Sequence, residues 1–85
     1  MYKVTYSKEA SKALRHMPKN MALIILKKIE DLALNPYSKN HNIKKLKGIE
    51  GFRLRVGDWR ILYQIQNDVL QIYIVTIAPR GGAYR

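Results

Sequence analysis

This sequence predicts a small α+β domain of order β-α-α-β-β-β, with a helical hairpin packed on one face of a four-stranded sheet. Three observations predict it. Apolar residues recur at helical spacing in two successive stretches, Ala10 to Met17 and Ala22 to Ala33. Stretches before and after them are strand-like, several alternating with period two as half-buried strands do. Gly57-Asp58 then separates two strand-type runs by two residues, the signal of a tight hairpin.

Tyr2, Val4 and Tyr6 alternate with Lys3 and Thr5, which predicts a short first strand. Ser7 suits a helix N-cap because its hydroxyl accepts an orphan backbone N–H, and Glu9 suits the positive end of the helix dipole. Ala10, Ala13, Leu14 and Met17 follow at i, i+3, i+4 and i+7, leaving Lys8, Lys12 and Arg15 on the other side. Pro18 has no N–H to give a helix interior, so it ends this helix and opens the next. Ala22, Ile25, Leu26, Ile29, Leu32 and Ala33 keep helical spacing over three turns. A residue before proline avoids the α region, so Pro36 stops the second helix near Asn35. Lys27, Lys28, Glu30 and Asp31 read as its solvated face. Residues 37–50 read as a long basic connection carrying Lys39, His41, Lys44, Lys45 and Lys47.

The hairpin can be registered from the sequence. A two-residue loop makes Val56 and Trp59 cross-strand neighbours, then Leu54 with Ile61, and Phe52 with Tyr63. All six are apolar or aromatic, and together they make one face suited to a core. Side chains alternate along a strand, so Arg53, Arg55 and Arg60 occupy the other face. Arg55 then stands directly opposite Arg60, and like charges in that position destabilise a sheet. Arginines held so are ready for an anion. A solvated sheet face explains the three equally well taken alone; the lysines of KKLK just before them, and the scarcity of acidic residues nearby, favour the anion. Trp59, paired with Val56, reads as a core anchor.

Asn67-Asp68 marks a further turn, and Val69 to Ile77 is the last strand. With another two-residue loop, Leu70, Ile72, Ile74 and Thr76 face the core while Tyr73 and Val75 lie on the arginine side. A strand apolar on both faces is central, so the first strand is expected along its free edge. Pro79 ends it, and Arg80 to Arg85 form a tail.

The chain has 85 residues, 16 basic and 6 acidic, for a formal charge of +10. One domain spanning residues 1–85 is expected, and its partners should be polyanions, nucleic acid first. With no cysteine, a disulfide scaffold and a zinc-thiolate site are excluded. The longest apolar run, Met21 to Leu26, is far too short to span a bilayer. The strand pattern opens the sequence directly, so a cytoplasmic protein without a signal peptide is expected.

KLKG at residues 45–48, GFRLRVGDWRILYQI at 51–65 and APRGGAYR at 78–85 together resemble the RelE/ParE superfamily of toxins from toxin–antitoxin pairs. The resemblance covers nearly the whole chain in length, element order and motif placement. PRGGAYR is similar to the RelE branch, whose members cleave mRNA in the ribosomal A site; the ParE branch poisons DNA gyrase. The resemblance implies catalytic positions at Arg60, Arg80, Tyr84 and Arg55, with substrate binding by Arg53, Lys44, Lys45 and Lys47. In that family Arg60 matches the arginine on the scissile phosphate. Arg80 matches one that assists the leaving group or the transition state, and Tyr84 a tyrosine that stacks on a base and orients or deprotonates the 2′-hydroxyl. The best-studied RelE member carries lysine at the positions of Arg53 and Arg55. A guanidinium does not readily release its proton, so phosphate binding carries over to these two positions better than acid–base work.

The residues themselves offer charge rather than a strong base. His16 and His41 read as surface residues, and Glu50 and Asp58 as turn residues. Pre-placed donors that stabilise a developing charge are worth roughly 3 to 4 kcal/mol each in favourable sites. Arginines and one phenol can thus drive transesterification without a metal or cofactor. The resemblance implies a ribosome-dependent endoribonuclease that acts on A-site mRNA. Its partners would be the mRNA, the ribosome and a cognate antitoxin, a small protein that is acidic or has an acidic segment wrapping the helical hairpin. Two other readings stay open: a ParE-like gyrase inhibitor, and a basic nucleic-acid-binding module without activity.

Overall fold

In the computed structural model, residues 1–37, 42–48 and 50–79 are described. Their order is β1 (Lys3–Tyr6), α1 (Lys8–His16), α2 (Lys19–Leu34), β2 (Ile43–Lys45), β3 (Phe52–Val56), β4 (Trp59–Gln66) and β5 (Gln71–Pro79). The strands make one sheet in the order β1-β5-β4-β3-β2. As expected, β1 lies along the free edge of β5, and it runs parallel to it. The α+β class and the helical hairpin stand. The strand count does not: β2 adds a fifth strand inside what the sequence showed as a basic connection.

Local chemistry sets the boundaries. Ser7 caps α1, its Oγ accepting from the Ala10 N–H at 3.0 Å while donating to the Val75 carbonyl at 2.6 Å. One hydroxyl therefore closes a helix and pins it to β5. Pro18 separates the helices, and α2 ends at Asn35, whose N–H reaches the Asp31 carbonyl at 3.3 Å. A second clasp joins three distant segments: the hydroxyls of Tyr2 and Tyr37 both donate to Asn67 Oδ1, at 2.8 and 2.9 Å.

The core lies between the helices and one sheet face. Ala10, Met17, Ile25, Ile29, Leu32 and Ala33 come from the helices, and Leu54, Val56, Ile61, Tyr63, Ile72, Ile74 and Ile77 from the sheet. The helical stripes are those the spacing predicts, except that Leu26 is exposed. In β5 the inward set changes parity. Ile72 and Ile74 are buried as expected, but Ile77 takes the place foreseen for Thr76. An irregularity opposite Leu62 and Tyr63 leaves Val75 as an extra residue, because Leu62 pairs with Thr76 while Tyr63 pairs with Ile74. One extra residue swaps the faces of everything beyond it. The Asn67 turn is also longer than two residues: β5 starts at Gln71, and Leu70 is exposed in a left-handed conformation.

No helix among the described residues is long and apolar enough to cross a membrane.

Candidate functional site

The hairpin of β3 and β4 has the register expected of it. Val56 pairs with Trp59, Leu54 with Ile61 and Phe52 with Tyr63, all toward the core, and Arg55 faces Arg60. Gly57 makes this turn possible by adopting φ +59, a left-handed value that other residues adopt at a cost. On the core side the Phe52 and Tyr63 rings stack, 5.6 Å between centroids. Tyr63 is fully buried, and burial pushes its phenol above the ordinary value. A phenol so placed stays protonated and anchors the hairpin rather than taking part in chemistry.

On the outer face the sheet sets out two rows of side chains. In one, Lys44 of β2 pairs with Arg53 of β3, Arg53 with Leu62 of β4, and Leu62 with Thr76 of β5. The other runs from Arg55 to Arg60 and on to Ala78. It extends to the first residue before β2, because the Arg55 N–H donates to the Asn42 carbonyl at 2.9 Å. Arg53 and Arg60 are half-buried and Arg55 is exposed.

Asn42, Lys44, Arg53 and Arg55 line a recess of about 140 Å³ at the β2 edge of this face. The residues singled out from the sequence thus divide. Lys44, Arg53, Arg55 and Arg60 come together. Lys45, one residue on, alternates to the opposite side of β2 and pairs with Phe52, and Lys47 is exposed beyond the strand. Arg80 and Tyr84, like Lys39 and His41, lie outside the described residues. Asn42 was not foreseen: an isolated polar residue in a basic stretch has no spacing signal, and only the pairing of β2 brings it here. Tyr73 lies on the outer face as expected, paired with Gln64. Among the described residues no group of three or more His, Cys, Asp or Glu side chains could hold a metal ion.

Arginines and a lysine on adjacent strands are a chemistry able to take a phosphate backbone. Guanidinium groups match phosphate oxygens in paired, charge-assisted hydrogen bonds.

Comparison with known proteins gives concordant matches. Residues 4–84 match the family described as the ParE toxin of type II toxin-antitoxin system, parDE. The chain is 35% identical over 86 residues to a protein of Methanocaldococcus jannaschii named as toxin RelE1, covering 99% of this chain and 96% of that protein. Its fold matches a chain of the archaeal RelE-RelB complex from Pyrococcus horikoshii, with TM-score 0.82, 30% identity, and 96% and 98% of the two chains covered. It also matches a chain of the RelB-RelE antitoxin-toxin complex from Methanococcus jannaschii, with TM-score 0.68, 30% identity and 87% of each chain covered.

Proposed function

From the premise that the chain belongs to the RelE/ParE family of toxins of toxin–antitoxin systems, we propose that it is a ribosome-dependent mRNA endonuclease. The observation that carries this reading is the placement of Lys44, Arg53, Arg55 and Arg60 on one open sheet face. Arg60 holds the scissile phosphate, with Arg55 opposite it sharing the charge that develops on the phosphorane. The 2′-hydroxyl of the preceding nucleotide attacks the phosphorus and the 5′-oxygen leaves, giving a 2′,3′-cyclic phosphate and a 5′-hydroxyl. Arg80 and Tyr84 are assigned to leaving-group assistance and to base stacking with 2′-hydroxyl orientation, as the family resemblance implies. Arg53 and Lys44 bind the substrate backbone. The ribosome supplies the geometry that a site without a strong general base lacks.

A cognate antitoxin partner is proposed on two grounds. The two matching solved structures, from Pyrococcus horikoshii and Methanococcus jannaschii, are RelE–RelB complexes. Here the outer side of α2 leaves Leu23 at 59% and Leu34 at 63% exposure, with Ile24 and Leu26 beside them. An acidic or acid-flanked antitoxin segment would cover these side chains and extend toward the basic face.

A second reading, gyrase inhibition, is favoured by the ParE description of the matched family. Parallel assays separate the two. Purified protein added to cell-free translation and to gyrase supercoiling should block translation alone, and Arg60→Ala should relieve that block at least tenfold. Unimpaired translation with blocked supercoiling would overturn the nuclease reading.

A further inference from the structure

β5 changes face at Val75, and one residue of another element holds the change. Tyr63 pairs with Ile74 and Leu62 with Thr76, so Val75 has no opposite number on β4. A bulged residue leaves backbone groups outside the ladder, and its carbonyl then needs another donor. Ser7 supplies it. Its Oγ donates to the Val75 carbonyl at 2.6 Å, and its N–H donates to the Ile74 carbonyl at 2.9 Å. Two successive carbonyls, one before the bulge and one within it, thus end on the residue that directly follows β1. The hydroxyl gives its only proton to the bulge and caps α1 with a lone pair, accepting from the Ala10 N–H at 3.0 Å.

The register beyond the bulge decides which residue stands beside Arg60. As folded, Arg60 pairs with Ala78, Ile61 with Ile77 and Trp59 with Pro79. Continuing the pairing of Tyr63 with Ile74 without the extra residue would set Arg60 against Ile77, and Ile61 against Thr76. A branched apolar side chain would then lie on the outer face, and a threonine would take the core position that Ile77 fills. Pro79, the residue before Arg80, would also move one residue, about 3.4 Å, relative to Arg60. We propose that Ser7 is a positioning residue for the arginine site: its hydroxyl holds the Val75 bulge and thereby the register that sets Ala78 beside Arg60. Burial of Ile77 favours the same register, and the Ser7 hydroxyl makes it the only one populated. The effect on cleavage rests on the nuclease reading above; the effect on register does not.

Ser7→Asp separates the two roles of the hydroxyl. A carboxylate caps a helix as serine does, but it is an acceptor only and has nothing to donate to a carbonyl. Ser7→Gly, which costs little at an N-cap, is a second variant without the donor, and Ser7→Thr keeps both roles. Cross-strand NOEs in isotopically labelled protein read the register, and rates on A-site message in programmed ribosomes read the site. In wild-type protein Arg60 should show NOEs to Ala78, and Leu62 to Thr76. In Ser7→Asp and Ser7→Gly the NOEs within α1 should persist, those two contacts should weaken, and contacts of Arg60 with Ile77 should appear. In both variants kcat should fall about tenfold with KM changed less than about twofold, because Lys44, Arg53 and Arg55 lie on β2 and β3, away from the bulge. Ser7→Thr should restore the register and the rate. Unchanged register NOEs in the two variants would overturn the proposal. So would a shifted register with wild-type kcat, which would make Ser7 a residue of the fold alone. If wild-type protein leaves message intact, the nuclease reading falls, and the NOE comparison alone decides whether Ser7 holds the register.

Discussion

Arg55 and Arg60 face each other across the ladder, an arrangement that a sheet selected for stability alone avoids. Replacing the exposed member should therefore strengthen the fold while weakening its use. Arg55→Thr is expected to raise stability by about 0.5 kcal/mol in urea denaturation and to lower RNA affinity. A destabilised variant would show that Arg55 supports the sheet rather than a ligand. Tyr63 presents a different conflict. Its ring is buried against Phe52, yet its hydroxyl has no hydrogen-bond partner among the described residues. An unsatisfied buried hydroxyl costs about 1 to 3 kcal/mol, so Tyr63→Phe should stabilise the protein by about 1 kcal/mol. The effect should depend on pH. Burial raises the folded phenol above its ordinary value of 10.0. Below that value both folded and unfolded chains hold the proton, and stability is flat. As pH rises past it the unfolded chain loses its proton first, and stability falls. Denaturation at pH 7 and again above pH 10 should show the advantage of Tyr63→Phe widening at the higher pH. Inward and outward assignments on the hairpin were legible because a two-residue turn fixes parity. Thr76 was misplaced because a bulge changes parity without a Gly or Pro to mark it; only the spacing of Ile72, Ile74 and Ile77 hinted at it.

Among the elements, α1, α2 and the β3–β4 hairpin were legible because each has several apolar residues at its own period, with a cap or turn residue at its ends. β2 was not. Three residues are too few to display a period, and two of them are lysines. What makes this segment a strand is backbone pairing with β3, which sequence spacing does not record. Its connection to β3 is closed by the Leu46 N–H donating to the Gly51 carbonyl at 3.0 Å. Gly51 has φ +143, and a Cβ there would meet the Tyr63 carbonyl oxygen at 3.0 Å. Gly51→Ala combines backbone strain with a contact against immobile backbone, and should cost about 2 kcal/mol or more. Thermal denaturation checks this, and a change within 0.5 kcal/mol would mean that the β2–β3 connection relaxes freely. Because the recess depends on β2, the same variant should bind RNA more weakly even when folded.

At the scale of the molecule, the sheet divides the chain by chemistry. One face is covered by two helices and carries the core; the other carries Lys44, Arg53, Arg55 and Arg60. A net charge of +10 spread over 85 residues attracts any polyanion, so affinity alone says little about function. The ordered arginines are what distinguish a site from a basic surface. That division was visible in the sequence as soon as the hairpin was registered. The convergence of Asn42 and Lys44 on it was not, since it depends on long-range pairing. The central claim is that this face cuts message on the ribosome, and primer extension on an mRNA in a programmed ribosome tests it most directly. Wild-type protein should produce a stop within the A-site codon that is absent from ribosome-free RNA, and Arg60→Ala should weaken it by at least a hundredfold, the scale of losing a transition-state charge partner. Intact message at saturating protein, or equal cutting by Arg60→Ala, would contradict the account.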